Sequence, residues 1–217
     1  MLSSIEIGQH VLFGRIEQDG DSSTTDEPIE WIVVDQKDDT YLLYSKYSIM
    51  AGVYNTEKGS VTWETCTLRT DLNSNFLNTA FNDAEQTGIQ MTTLSNGANP
   101  RYGTPGGNNT SDYVFIPSYD ELVKYIEIAD VSHCPGTPAV CYKSGDGTLY
   151  WLRTPGEYSD EAMIQAPVGT EVYDTTSEHT WGKLSSGDYK PLGIRPALWV
   201  SKDVLIAEGH IPVHTAE

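Results

Sequence analysis

Two apolar segments in the C-terminal third, each carrying one arginine and one proline, limit the possible folds of this chain more than any other feature. The first covers residues 150–156 (YWLRTPG) and the second residues 192–199 (LGIRPALW). An unpaired charge is costly to bury, so Arg153 and Arg195 must each meet a carboxylate or backbone carbonyl groups. We therefore predict that both segments are central strands that support a site and do not themselves perform chemistry.

The N-terminal part of the chain has the pattern of β-strands. Residues 9–16 alternate apolar and polar side chains, which is typical of a half-buried strand. Two further β-rich runs, residues 29–35 and 40–45, flank a polar turn at Asp38 and Asp39. This arrangement predicts a β-hairpin.

The middle of the chain has helical patterns. Apolar residues spaced by three and four positions predict one amphipathic helix that starts near Thr70 and ends at Gly88. Ser118 followed by Glu121 predicts a capped second helix. The glycine- and asparagine-rich segment 96–112 is long enough for a functional or mobile loop. Strands, then helices, then strands predict an α+β fold, with one domain over residues 1–217 and a core from about 5 to 200.

The charge balance argues against nucleic acid as a partner, and the lengths of the apolar runs argue against insertion into a membrane. The chain has 31 acidic and 13 basic side chains and a formal net charge of −18, so it lacks the basic surface that nucleic acids require. No apolar run is long enough to span a bilayer, and we expect no membrane insertion. Residues 1–4 are followed directly by strand-like sequence, so no signal peptide is visible. Either the protein stays inside its cell or virion, or its leader has been removed.

No motif for covalent catalysis is present. The histidines have no triad context, and no GxSxG elbow occurs. The glycine-rich segment 103–107 lacks the lysine of a phosphate loop. Cys66 precedes the first predicted helix, where a helix N-terminus can lower a thiol pKa, but a structural cysteine is the favoured interpretation. Cys134 and Cys141 bracket a short loop and form either a disulfide or two thiols, because spacing does not decide pairing. We predict a protein that is not an enzyme and has no catalytic residue.

Metal binding has little support in the sequence. There is no CxxC or Cys/His cluster for zinc. Asp160 and Glu161 could meet Glu171 and Asp174 across a hairpin and bind calcium, although solvated carboxylates are the favoured interpretation. We expect no metal site and no cofactor, with a structural Ca²⁺ as the alternative.

The segment between the two arginine-containing strands has the composition of a binding surface. Residues 157–191 are rich in Tyr, Ser, Thr, Asp and Gly, as antibody paratopes are. Large aromatic side chains are costly to expose without a partner. The aromatic residues in question are Tyr158, Tyr173, Trp181 and Tyr189.

Five segments, in the same order, resemble the motifs of a largely uncharacterised family of bacterial and phage domains. They are PIEWIV (28–33), WETCTLR (63–69), VFIPSYDE (114–121), WLRTPG (151–156) and GIRPAL (193–198). The family's own last two motifs read WLRSPG and GVRPAL, and the similarity covers roughly residues 5–200. The family resembles the C-type lectin-like fold, in the branch of the formylglycine-generating enzymes. The resemblance therefore implies twisted antiparallel sheets with two helices.

The resemblance also implies a function. Some members of the family are variable proteins of diversity-generating retroelements, which display a ligand-binding surface on the segment between the last two motifs. A domain of this kind acts as an adhesin on a cell surface, as a secreted protein or on a phage particle, and binds a protein or glycan. Carried over to this chain, the displayed ligand-binding positions are Glu157, Tyr158, Asp160, Met163, Gln165, Tyr173, Asp174, Thr176, His179, Trp181 and Tyr189.

Departures from the family pattern refine this expectation. Glu157, Met163, Gln165 and Trp181 are not products of adenine mutagenesis of asparagine codons, which indicates a fixed ligand rather than a diversified repertoire. The oxidase members of the fold use a cysteine pair near the C-terminal strands, and this chain has no cysteine after Cys141. The alternatives are a structural domain of a surface or phage tail assembly and, less favoured, an oxidase. The sequence does not indicate an oligomeric state.

Overall fold

The computed structural model describes residues 5–140, 149–166, 177–181 and 192–207. These residues form two five-stranded sheets, one two-stranded ribbon and a few short helices. The pairing is mostly antiparallel, so the predicted α+β architecture is confirmed. No helix among the described residues has the length and apolar character needed to cross a membrane.

The strands divide between the sheets without following chain order. The first sheet has the order β1-β2-β3-β12-β5, the second β10-β9-β8-β11-β4, and β6 pairs with β7. The strands are β1 (His10–Ile16), β2 (Glu27–Lys37), β3 (Thr40–Ser45), β4 (Met50–Gly52), β5 (Ile89–Gln90), β6 (Thr92–Leu94), β7 (Thr110–Asp112), β8 (Tyr150–Pro155), β9 (Glu161–Gln165), β10 (Ser177–His179), β11 (Leu192–Ile194) and β12 (Ala197–Ser201). The predicted hairpin is β2–β3, and Asp38 in its turn has a positive φ of 49°.

The prediction of one continuous helix from Thr70 to Gly88 is wrong. The segment contains α1 (Thr67–Asp71), a π-helical turn (Leu72–Phe76), α2 (Leu77–Ala80) and α3 (Asp83–Gly88). Phe81 is extended, at φ −127° and ψ 132°, and Asn82 starts α3 by accepting a hydrogen bond from the Glu85 amide at 3.0 Å. The Glu85 carboxylate in turn accepts from the Asn82 amide at 2.9 Å, so a complete capping box starts α3, and the Phe81 ring packs 5.1 Å from that of Phe13 in β1. A local N-cap signal therefore interrupts the apolar period that predicts one helix.

The second predicted helix is confirmed, and a third is new. Helix α4 (Tyr119–Tyr125) begins at a capping box in which the Ser118 hydroxyl accepts from the Glu121 amide at 3.2 Å. Helix α5 (Lys202–Ala207) directly follows β12 and had no clear sequence signal. The capping box succeeds as a predictor because its two hydrogen bonds are local.

The second arginine segment is two strands rather than the single strand predicted for 192–199. Strand β11 belongs to the second sheet and β12 to the first, so the chain crosses between sheets at Arg195 and Pro196. Arg195 is fully buried there, and it donates to the carbonyls of Ser45 and Val131 at 2.9 Å each. The expectation that a buried arginine finds carbonyl partners is confirmed. The crossing joins the two sheets.

A half-buried carboxylate on the first sheet makes stability depend on pH. His10 is fully buried, with Nδ1 2.7 Å from Oε1 of Glu30 and Nε2 3.2 Å from Oδ2 of Asp130. The hydrogen bond from His10, aided by Lys46, lowers the pKa of Glu30 below its ordinary value of 4.5. In the unfolded chain Glu30 takes up a proton first as pH falls. Its stabilising contribution is therefore complete above pH 4.5 and is lost as pH falls through the lower folded-state pKa.

We expect Glu30→Gln to remove this part of the acid sensitivity. Urea unfolding at about pH 7 and about pH 3.5 measures it, because the midpoint follows the free energy of unfolding. The midpoint of wild type should fall more between the two conditions than that of Glu30→Gln. Glu57→Gln, at an exposed position, serves as the control and should behave as wild type. Equal losses in all three proteins would contradict the assignment.

Candidate functional site

The turn between β8 and β9 projects side chains into solvent at the start of the predicted binding segment. The Gly156 amide donates to the Glu161 carbonyl at 2.8 Å, and the Glu161 amide donates to the Tyr158 carbonyl at 3.1 Å. Glu157, Tyr158 and Ser159 are exposed between these bonds. Two hydrogen bonds within residues 156–161 therefore close the turn without help from other segments.

Three other segments of the chain also hold the turn. They reach it from residues 61, 99–104 and 180, which lie far from it in the sequence. The bonds run from Asn99 Nδ2 to the Pro155 carbonyl (2.8 Å), Thr104 Oγ1 to the Glu157 carbonyl (2.7 Å), the Val61 amide to the Ser159 carbonyl (2.9 Å) and the Thr180 amide to the Asp160 carbonyl (3.0 Å). Because consecutive carbonyls of the turn are engaged, its backbone is ordered before a ligand arrives.

Two exposed tyrosines lie on this framework. Tyr158 is 60% exposed and Tyr102, on the loop that also carries Asn99, is 38% exposed. The guanidinium of Arg101 lies 5.6 Å from the centroid of the Tyr102 ring. The negative charge of Glu157 raises the pKa of Tyr158 above its ordinary value of 10.0. Like any tyrosine at neutral pH, it keeps its proton and is a hydrogen-bond donor.

A second aromatic pair borders the same turn. The rings of His179 and Trp181 stack with centroids 4.5 Å apart and an interplanar angle of 15°. Nδ1 of His179 lies 3.5 Å from Oδ2 of Asp160, and the Lys58 ammonium lies 5.9 Å from the Trp181 ring. We call Tyr102, Tyr158, His179 and Trp181 together the aromatic turn surface. Cations and carboxylates border its rings, as in the polar rim of an interface.

The structure corrects two of the predicted display positions. Both residues lie in β9, where Met163 is 0% exposed and Gln165 is 2% exposed. Strand β9 lies between β8 and β10, and all of its side chains except that of Glu161 are buried. Neither side chain can meet a ligand from there, because both faces of the strand are covered. Of the remaining positions, Glu157 and Tyr158 are exposed, and Asp160, His179 and Trp181 are partly exposed. The predicted positions outside the described residues are Tyr173, Asp174, Thr176 and Tyr189.

The sequence reasoning missed Tyr102, Arg101 and Lys58. The first two lie in the segment 96–112, which was predicted only as a functional or mobile loop. An aromatic residue among glycines and asparagines in that loop was the available signal. For Lys58 the sequence offered no such signal, because its position beside Trp181 depends on tertiary structure.

A cavity of about 190 Å³ adjoins the same loop, between residues 95–100, the start of α4 and β8. Its floor is the ion pair of Arg153 with Glu121, in which Nη2 lies 2.7 Å from Oε1 and Nη1 bonds to Oε2. The guanidinium also donates to Asn96 Oδ1, at 3.2 Å, and to the carbonyls of Ser95 and Ile116. The predicted partners of Arg153 are thus confirmed. Because all five N–H groups of the Arg153 guanidinium donate to these partners, none is left to bind an anion in the cavity. Arg153 instead holds the loop at residues 95 and 96 in place.

The cysteines are structural in the described part of the chain. Cys66 is buried, and its sulfur caps α1 by accepting from the Arg69 amide at 3.4 Å. Burial raises the pKa of this thiol to about 12, so the structural interpretation is confirmed. Cys134 is a buried free cysteine, which favours the unpaired alternative, and Cys141 lies outside the described residues.

The acidic residues expected near a calcium ion are only partly described. Asp160 and Glu161 face His179, while Glu171 and Asp174 lie outside the described residues. A different group, which sequence reasoning missed, brings carboxylate oxygens of Glu17, Asp19 and Glu27 within 4.8 Å of one another. Asp19 and Glu27 come together only because the start of β2 folds back beside the end of β1.

The fold and the site define an α+β domain that presents aromatic side chains on a hydrogen-bonded turn between two buried strands. The chain belongs to the family DUF6273, a domain of unknown function, whose profile matches residues 38–202. That range begins at the β2–β3 turn and includes both arginine segments. A search of the curated proteins and a search of the solved structures each found no match.

Proposed function

We propose that this chain is a non-enzymatic binding domain that recognises a protein or glycan through the aromatic turn surface. One observation carries the proposal: Tyr158 is 60% exposed on a turn whose carbonyls are bonded to residues from three other segments. A rigid backbone that exposes a large ring reduces the entropy lost on binding. Tyrosine and tryptophan are also the residues most often found at the centres of protein interfaces.

The chemistry of the surface suits a ligand with both apolar and hydroxyl or charged groups. The ring faces of Tyr102 and Tyr158 offer apolar area, and their phenols offer hydrogen bonds. Charges of both signs border the surface. Arg101 lies by Tyr102 and Glu157 by Tyr158, while Lys58 lies by Trp181 and Asp160 by His179. We infer a C-type lectin-like fold, displayed on a cell surface, secreted or carried on a phage particle, from the order of the five motifs together with the α+β architecture.

The buried thiols support a role without covalent catalysis. Oxidases of the related branch rely on a reactive cysteine pair, whereas Cys66 has a raised pKa and serves as a helix cap. Burial also raises the pKa of Cys134. Neither described thiol has the lowered pKa and solvent access of a nucleophile.

We expect Tyr102→Ala combined with Tyr158→Ala to weaken ligand binding by at least about thirtyfold, as loss of a binding hot spot does. Both rings are exposed, so the fold should be unaffected. A glycan array and a cell-surface pull-down would first identify the ligand, and biolayer interferometry would then compare affinities. Met91→Ala is the matched control, because Met91 is 59% exposed and lies outside the surface.

Two outcomes would refute this function. One is a blank result in both screens. The other is an equal loss of affinity in the Met91→Ala control. If the surface instead packs against a fixed neighbour in a surface or tail assembly, the double variant would lose incorporation into that assembly.

A further inference from the structure

A second groove, of about 520 Å³, lies away from the aromatic turn surface, between β1, β2 and the loop 136–138. Leu12, Pro28, Tyr47 and Pro138 make its walls largely apolar. The loop is held in place because the Thr137 amide donates to the Ser48 carbonyl at 3.1 Å and the Ala139 amide donates to the Gln18 carbonyl at 3.0 Å. The groove is thus a formed feature of the fold.

Carboxylates concentrate at one end of this groove. Asp19 and Glu27 line it, and their oxygens lie within 4.8 Å of each other and of Glu17. Among the described residues, these three side chains form no salt bridge with a lysine or arginine, and their hydrogen bonds come from backbone amides. The Oε2 atom of Glu17 is shielded from solvent and has no hydrogen-bond partner in that part of the chain. An apolar groove therefore ends at uncompensated negative charge.

The groove already contacts one ammonium group of this chain. The Nζ atom of Lys46 lies 3.1 Å from Oε1 of Glu30 and 5.5 Å from the centroid of the Tyr47 ring. Both Glu30 and Tyr47 line the groove. A carboxylate and a ring face thus share a cation at its wall, which is the combination that favours ammonium binding.

We propose that this groove binds a lysine side chain of a basic partner protein. The apolar walls fit the aliphatic stem, and the ammonium donates to the carboxylates of Asp19 and Glu27, which both line the groove. Carboxylates that converge on one point suit the compact lysine ammonium better than the planar arginine fork, which prefers one bidentate carboxylate. The net charge of −18 further favours encounter with a basic partner.

The test is a ¹H–¹⁵N NMR titration with a short glycine peptide that carries one central lysine. Matched peptides carry norleucine or arginine in its place. We expect the lysine peptide to shift the amides of Tyr47, Gly136, Thr137 and Ala139, and added NaCl to weaken the effect. Asp19→Asn and Glu27→Gln should each weaken binding about three- to tenfold, and Glu57→Gln should leave it unchanged.

The two groove variants are chosen so that folding does not obscure the result. Asp19 is exposed, and a glutamine at position 27 can still accept from the Gln18 amide. Equal binding of the norleucine or arginine peptide would overturn the proposal. So would Ca²⁺ shifting the same amides when the lysine peptide does not, or a dimer that dissociates in both variants. None of these outcomes bears on the aromatic turn surface, so the two proposals fail independently.

Discussion

Replacement of Arg153 with methionine is expected to lower the free energy of unfolding by about 3 kcal/mol. Arg153 is 4% exposed, and its removal takes the guanidinium from the Glu121 carboxylate, which keeps the Ser118 amide as a donor. The Ser95 and Ile116 carbonyls also lose the guanidinium donors that they have in the wild type. Methionine retains most of the aliphatic volume, so the loss reports the polar contacts. The value is at the low end for a buried pair because the Glu121 side chain is 29% exposed and water screens it. Urea unfolding followed by tryptophan fluorescence measures it.

A double-mutant cycle with Glu121→Gln separates the ion pair from the other contacts. We expect the double variant to be more stable than the sum of the single losses implies, because no unpaired buried charge remains. Additive losses would show that the pair itself contributes nothing. Arg153→Met should also weaken ligand binding, since it removes the two bonds that tie Ser95 and Asn96, at the start of the loop that carries Tyr102, to β8.

Gly14→Ala is the second change expected to have a large effect, a loss of about 2–4 kcal/mol. Gly14 has φ +69°, a left-handed conformation that alanine adopts only with strain. An added Cβ would also lie 2.5 Å from Cε1 of Phe81 and 2.7 Å from the Ala80 carbonyl oxygen. Phe81 cannot retreat easily because it packs against Phe13 and Phe76.

Gly103→Ala is the matched control for this prediction. Gly103 has φ +72°, but no atom lies within 4 Å of the position its Cβ would take. The Gly103→Ala variant should therefore lose only about 1–2 kcal/mol of its free energy of unfolding, from backbone strain. The difference between the two variants measures the steric conflict at Phe81. Equal losses would mean that β1 and α2 move apart at little cost.

Local patterns predicted the parts of this fold whose determinants are close in sequence. The β2–β3 hairpin follows from two apolar runs around Asp38 and Asp39, and α4 follows from the spacing of Ser118 and Glu121. In the segment 70–88 the apolar residues keep a helical period through Phe81, and this period alone predicts one helix. The capping box of Asn82 and Glu85 is a second local signal, and it starts a new helix directly after Phe81.

The predicted binding residues fall into two groups, those that the structure places at the surface and those that it buries. Tyr158 and Asp160 are predicted from the family resemblance, and the structure places them on the turn between β8 and β9. Met163 and Gln165 could not be assigned correctly, because burial on both faces of β9 depends on elements distant in sequence. Tyr102 joins the site only through the bonds of Asn99 and Thr104 to the turn.

The sequence by itself determined that the two arginine segments are buried strands, because a charge in an apolar strand requires partners that only an interior framework supplies. Tertiary structure decided which groups those partners are. Arg153 donates to the carboxylate of Glu121, and Arg195 donates to backbone carbonyls at the crossing between the two sheets. The need for compensation belongs to the residue and its immediate neighbours, whereas the identity of the compensating group depends on which distant segments the fold brings within hydrogen-bonding distance.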